Sequence, residues 1–296
     1  MQEFLQQLVN GLSIGSIYAL IALGYTMVYG IIKLINFAHG DMYMIGAYIG
    51  LVSVTVFKLP FFLALISTMV FTALIGILIE RIAYKPLRKS TRVAALITAI
   101  GVSFFLQNIV SRIMGAKIYT FPSVLNNELY VVGGIRINSQ QLVIFVTSIA
   151  LMFLLQLIVQ KTKIGRAMRS VAVDQDAARL MGVNVDHVIT LTFAIGSSLA
   201  AAAGILVGIY YNTVNPLMGF APGLKAFVAA VFGGIGIIPG ASVYAAVGNG
   251  LSSIFAANTR PDFNIIFEPQ IFLPILGLAV LSLLPVFFKS IRGRKR

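Results

Sequence analysis

The sequence predicts an all-α integral membrane protein, a polytopic bundle of about eight to ten transmembrane helices. Three observations lead there. Hydrophobic residues make up 58% of the chain and charged residues only 10%, with a mean hydropathy of +0.94. A soluble domain carries about 25% charged residues to face water. The apolar residues also run in stretches near the 20 or so that a helix needs to cross the hydrocarbon core. The charges gather in a few short polar stretches between them.

The first apolar stretch spans residues 12–34 and the second 42–56. Lys58-Leu59-Pro60 interrupts the chain before a third, 61–79, because proline lacks the amide proton that a continuing helix needs. The fourth covers 93–113, the fifth 142–159 and the sixth 188–211. Two shorter stretches, 224–238 and 241–257, flank Pro239-Gly240. They read either as short spans or as a re-entrant hairpin, which a membrane tolerates only when protein buries it. The last stretch is 271–288. Residues 1–296 read as a single transmembrane domain, with no repeat or low-complexity linker dividing them.

Lysine and arginine set the expected orientation, since they concentrate in cytoplasmic loops. Of the 22, sixteen fall at Lys33, in 81–92, in 161–179 and in the tail from Lys289. The opposite side holds Lys58, Arg112, Lys117, Arg136 and Arg260, with Lys225 near an interface. The N-terminus is therefore expected outside and the C-terminus in the cytoplasm. Met1-Gln2-Glu3-Phe4 has no basic n-region or cleavage site, so the first segment reads as retained.

Composition also excludes classes. A net charge of +13 would suggest nucleic acid in a soluble protein, but here the positive residues mark loops beside a lipid bilayer. Cysteine is absent, which removes disulfides and thiolate sites. The two histidines, His39 and His187, have no metal-ligand spacing, so no metal is expected. Carboxylates and histidines show no catalytic pairing, and the chain reads as a non-enzyme. The span interiors are nearly free of Asp, Glu and Lys, which disfavours the alternative of an ion-coupled secondary transporter or channel.

Two polar segments are long enough for structure of their own: 115–138, expected outside, and 161–186, expected inside. In the second, Asp174 suits an N-cap, Asp176 the first turn, Arg179 the last turn and Gly182 the stop. That predicts a helix of about two turns, about 11 Å long. Ala177 and Met181 stand at i, i+4 with Leu180 beside them, forming a small apolar face. Such a helix serves either as a rigid knob for a partner or as an interfacial helix whose arginines reach anionic lipid.

Asp176-Ala177-Ala178-Arg179-Leu180-Met181-Gly182 resembles the Glu-Ala-Ala loop of ATP-binding-cassette importer permeases, with Asp for Glu and without the Ile-x-Leu-Pro continuation. Gly24-Tyr25-Thr26-Met27-Val28-Tyr29-Gly30, running into Asn36-Phe37-Ala38-His39-Gly40-Asp41, is similar to the amino-terminal signature of the branched-chain amino-acid permeases. Further likenesses follow in the same order: Glu80 to Arg88, Ile100-Gly101-Val102-Ser103 with Gln107-Asn108, and Gly223-Leu224-Lys225-Ala226-Phe227 running to Pro239-Gly240.

The resemblance implies a permease subunit in a bacterial inner membrane. It would pass amino acids, leucine, isoleucine and valine foremost, delivered by a periplasmic solute-binding protein; related permeases carry other small amino acids and amides such as urea. It implies as partners a second, homologous permease chain and two cytoplasmic ATPase subunits. ATP is used by those subunits, this chain binding no cofactor. Residues 174–182 would then form the coupling helix that docks on an ATPase.

Candidate pathway or gate residues are Asn36, His39, Asp41, Gln107, Asn108 and Asn249. Each has a plainer reading. Asp41 suits an N-cap for a span starting at Met42, and the amides suit hydrogen bonds between membrane helices. Gly11/Gly15, Gly46/Gly50 and Gly204/Gly208 predict close helix packing. Gly233-Gly234-Ile235-Gly236 is no phosphate loop, since no Gly-Lys-Ser/Thr follows.

Overall fold

The computed structural model describes residues 2–233, apart from 35, 89, 126–127 and 133–134. The stretches 241–257 and 271–288, Asn249, the basic tail and most of the Gly233–Gly240 run lie outside the described residues. The helices are α1 (Gln2–Ile32), α2 (His39–Thr55), α3 (Phe61–Ile79), α4 (Arg92–Met114), α5 (Ser139–Lys161), α6 (Lys163–Val173), α7 (Gln175–Leu180), α8 (Val185–Tyr211) and α9 (Phe220–Phe232). Short strands β1 (Tyr119–Thr120), β2 (Leu129–Val132), β3 (Ile135–Asn138) and β4 (Thr213–Val214) lie outside them.

Among the described residues, five helical stretches are long and apolar enough to cross a membrane: Leu5–Ile32, Phe61–Leu87, Val93–Met114, Ser139–Lys161 and Val185–Tyr211. They divide into two kinds. The most apolar windows of α8 and α1 are 83% and 78% buried, whereas those of α3, α4 and α5 are 28%, 22% and 17% buried. Thus α1 and α8, with the buried α2, form the centre, and α3, α4 and α5 present apolar flanks outward.

Lipid tails are as apolar as leucine, so helix association rests on close packing rather than on the hydrophobic effect. Small residues provide it here. Gly46 abuts Ala201, Gly50 faces Ile205, and Gly204 lies so near the Tyr43 carbonyl that a Cβ would overlap it. The Gly46–Ala201 and Gly50–Ile205 contacts run in the same order along both helices, so α2 and α8 are parallel neighbours. Gly46, Gly50 and Gly204 do the helix packing that the sequence predicts, whereas Gly208 meets the ring of Phe121 and not a helix.

Local signals set the ends. Pro60 stands extended before α3, and Thr91 caps α4 by accepting from the Ala94 amide at 3.3 Å. Asn138 and Gln141 form a reciprocal capping box at the start of α5. α1 begins about ten residues before the predicted span, because its polar residues there have partners. Gln6 brackets Arg136, donating to its carbonyl at 2.8 Å and accepting from its amide at 2.7 Å. Gln141 donates to Asn10 at 3.1 Å.

Segment 115–138, expected to have structure of its own, carries the three short strands β1, β2 and β3. β2 pairs antiparallel with β3, Tyr130 opposite Ile137, and β1 pairs with β4, Tyr119 opposite Val214. Apart from these strands and the connecting segments, the described residues are helical.

α2 is the irregular element. At 1.5 Å per residue its 17 residues reach about 26 Å, short of the roughly 30 Å core. Its first residue already lies deep in the bundle. His39 sits against Gly24, more than two turns before the end of α1, and Gly24 in turn meets Gly196, about three turns into α8. Residues after Ile32 therefore turn back into the protein before α2 begins, and do not simply end at the inner face. α9 starts at the same depth: Gly40 meets both Gly219 and Gly223 backbone to backbone.

Candidate functional site: a capped knob and a buried break

The polar segment 161–186 folds as two helices, where the sequence predicted one. Thr162 caps α6 through the Gly165 amide at 3.0 Å, and α6 buries Gly165, Met168 and Val171. The apolar residues of α6 recur three apart, a signal that was present in the sequence.

Asp174 then breaks the chain with an extended backbone, φ −151° and ψ 116°, and caps α7. Its carboxylate accepts from the amides of Asp176 at 2.8 Å and Ala177 at 3.0 Å. Those bonds, Ala177's foremost, hold the Asp174 carboxyl below the usual aspartate range. The other end closes as a Schellman motif: the Gly182 amide donates to Arg179 and that of Val183 to Ala178, each at 3.0 Å. Gly182 takes φ +81°, a left-handed conformation that glycine adopts without Cβ strain. Asn184 caps α8 through the His187 amide at 3.0 Å.

The small apolar face expected of Ala177, Leu180 and Met181 is the one that α7 leaves exposed. Ala178 is its buried residue, not Ala177, and Gln175 donates to the Ile31 carbonyl at the end of α1 at 3.0 Å. Leu180 and Met181 point away from the protein, 89% and 84% exposed, with Val173 at 82% beside them in sequence. A six-residue helix held at both ends by hydrogen bonds thus projects two bare apolar side chains. Arg179 and Asp176, paired at 3.4 Å, are exposed and add little.

The second constellation is the break between α1 and α2. Asn36, His39, Asp41 and Gln107 are all buried. Asn36 accepts from the Tyr84 hydroxyl at 2.7 Å. The Gln107 amide donates to Asp41 at 2.9 Å. Asp41 is therefore not the N-cap: α2 begins at His39 after Ala38, with no side-chain cap. The His39 ring stands edge-on to Tyr25, centroids 5.3 Å apart, and Tyr25 touches Phe227 at 5.4 Å. The His39 Nε2 and the Tyr25 hydroxyl meet no hydrogen-bond partner among the described residues.

Asn108 does not join this cluster. It is exposed on α4 and donates to its own helix at the Phe104 carbonyl, 2.7 Å away. Among the described residues it bridges no helices. Neighbours in sequence, Gln107 and Asn108 face opposite environments.

An ion cluster at the far end of α3 was not anticipated. Arg88 forks between the fully buried Glu80 and Asp186, the latter at 2.6 Å, and Thr190 donates to Glu80 at 2.8 Å. The signal lay in Glu80 itself, an acid closing an apolar span with arginine eight residues on. No group of three or more potential metal ligands occurs among the described residues.

Residues 7–284 match the family described as branched-chain amino acid transport system / permease component. The chain belongs to that family. Among its relatives are the high-affinity branched-chain amino acid transport system permease proteins BraD of Pseudomonas aeruginosa and LivH of Escherichia coli (strain K12). BraD is 46% identical over 252 residues, covering 81% of this chain and 82% of BraD. LivH is 43% identical over 275 residues, covering 88% and 89% respectively.

The permease draws its dispersed signature segments together. Gly24 and Tyr25 from α1, Asn36 to Asp41 from the break, Tyr84 from the basic segment, Gln107 from α4, and Gly223 and Phe227 from α9 all meet around the start of α2. Residues 174–182 form the separate knob more than two turns further along α1, at its end. Of the residues singled out in sequence, then, three sites emerge: the break, the knob and the outlying Asn108.

Proposed function

We propose that this permease is the membrane pathway subunit of an ATP-driven importer for leucine, isoleucine and valine. The names of its relatives support that substrate class. The chain pairs with a second, homologous permease chain in a bacterial inner membrane. It receives solute from a periplasmic binding protein and leaves ATP hydrolysis to two cytoplasmic subunits.

One observation carries the mechanical part: α7 is capped by Asp174, closed by Gly182 and bare at Leu180 and Met181. A short helix that is rigid at both ends and apolar at its tip transmits a push without bending. Charge supports placing it in the cytoplasm, since the basic residues of 161–179 flank it. Segment 115–138 contacts α1 at Gln6, whereas α7 contacts α1 at Ile31, so the two polar segments lie at opposite ends of that helix. The first then faces the binding protein and the N-terminus is outside.

Reconstitution in liposomes with the companion subunits tests the reading. Leucine uptake should require ATP and the binding protein together. Uptake against a gradient by this chain alone would overturn it.

A further inference from the structure

Resting on that reading, we infer that Arg88 is a positioning residue that carries movement of the α7 knob to the buried start of α2. The path is short at every step. Asp186 stands four residues beyond Gly182, and the residues between are committed, Val183 to the Schellman closure and Asn184 to the α8 cap. The arm from knob to Asp186 has no slack.

From Asp186 the guanidinium of Arg88 reaches across to Glu80, one nitrogen to each carboxylate. Glu80 opens a π-helical turn, Glu80–Tyr84, at the end of α3, and Tyr84 lies buried at its other end. Tyr84 packs on Phe193 of α8, centroids 5.1 Å apart, and donates to Asn36. Asn36 is three residues before His39, where α2 begins.

The chemistry makes this link stiff. A fully buried carboxylate needs a paired cation, and removing one partner alone leaves an uncompensated charge. Arginine can hold two carboxylates in a fixed fork where lysine, a single point charge, cannot. The link is thus made or broken rather than stretched, as a two-state transmission requires. π-Turns are rare and short, and this one joins α3 directly to the tight turn at Lys85–Leu87.

The test uses the complete reconstituted complex and compares Glu80→Gln/Arg88→Gln, which leaves no unpaired charge on Glu80, with Arg88→Lys. Three quantities are read: assembly with the ATPase subunits, basal ATP hydrolysis, and solute taken up per ATP. The double variant should assemble and keep basal hydrolysis, while uptake per ATP falls about tenfold, the scale of a coupling free energy between sites. Arg88→Lys should lie between it and the parent. Unchanged uptake per ATP in the double variant overturns the inference, as does loss of assembly, since the cluster would then only hold the knob in place. Gly182→Val run in parallel separates the two ideas: if it uncouples and the double variant does not, the transmission by Arg88 falls and the knob stands. If Gly182→Val leaves coupling intact, the knob reading itself falls.

Discussion

The side-chain amide of Gln107 donates to the Asp41 carboxylate at 2.9 Å, joining α4 to the first turn of α2 within a buried setting. A buried acceptor left alone costs its desolvation, so Gln107→Leu should destabilise the chain by about 1–3 kcal/mol. Asn108→Leu, on the exposed face, should leave the isolated chain near parent stability. Thermal unfolding of the purified proteins in mild detergent checks the contrast.

Gly204→Ala places a methyl group into the Tyr43 carbonyl and 2.8 Å from the Ala47 amide nitrogen. Backbone cannot move aside cheaply there, and a loss of about 1–3 kcal/mol is expected from overpacking. Gly101→Ala meets nothing within 4 Å among the described residues, so it should be neutral or stabilise by up to about 1 kcal/mol through helix propensity. The same unfolding measurement reads both.

Gly182 isolates backbone strain from crowding, because a Cβ there would meet nothing within 4 Å among the described residues while φ is +81°. Valine should cost the knob about 1–2 kcal/mol through left-handed strain alone. ATP-driven uptake should fall while membrane insertion stays intact. Asparagine, which tolerates that conformation, should retain most uptake.

Asp174 gives the knob a pH dependence. Its folded carboxyl titrates below the usual aspartate range, held down by the Ala177 and Asp176 amides. The cap therefore stabilises α7 at every pH above the unfolded aspartate's range, and that stability drains as pH falls through the folded value. Amide exchange at Asp176 and Ala177 should lose protection, beyond the intrinsic pH trend, on acidification in the parent. In Asp174→Asn, which caps without titrating, protection should not change in that way. An identical pH trend in both proteins would contradict the assignment.

Much of this architecture was legible because its signals are local. Apolar length located α3 to the residue, and the Asp174 and Gly182 ends of α7 followed from capping chemistry alone. Tertiary placement decided what was not legible. α2 begins at His39 rather than Met42 because Gly40 seats against Gly219 and Gly223, some 180 residues away. Which alanine of α7 is buried depends on what lies beneath it, and helical spacing cannot say. Gln107 and Asn108 were grouped as neighbours in sequence, yet about 100° of helical rotation separates them. The Glu80–Arg88 pair was hidden because a basic stretch after a span also reads as a plain cytoplasmic loop.

Where the tip of α7 points, and what covers it, decides whether α7 is a cytoplasmic coupling knob. The chain contains no cysteine, so Leu180→Cys gives a single thiol. A membrane-impermeant maleimide should label it in inverted vesicles and not in right-side-out ones, and co-assembled ATPase subunits should shield it. Labelling from the outside, or labelling undiminished by the ATPase, would contradict the account.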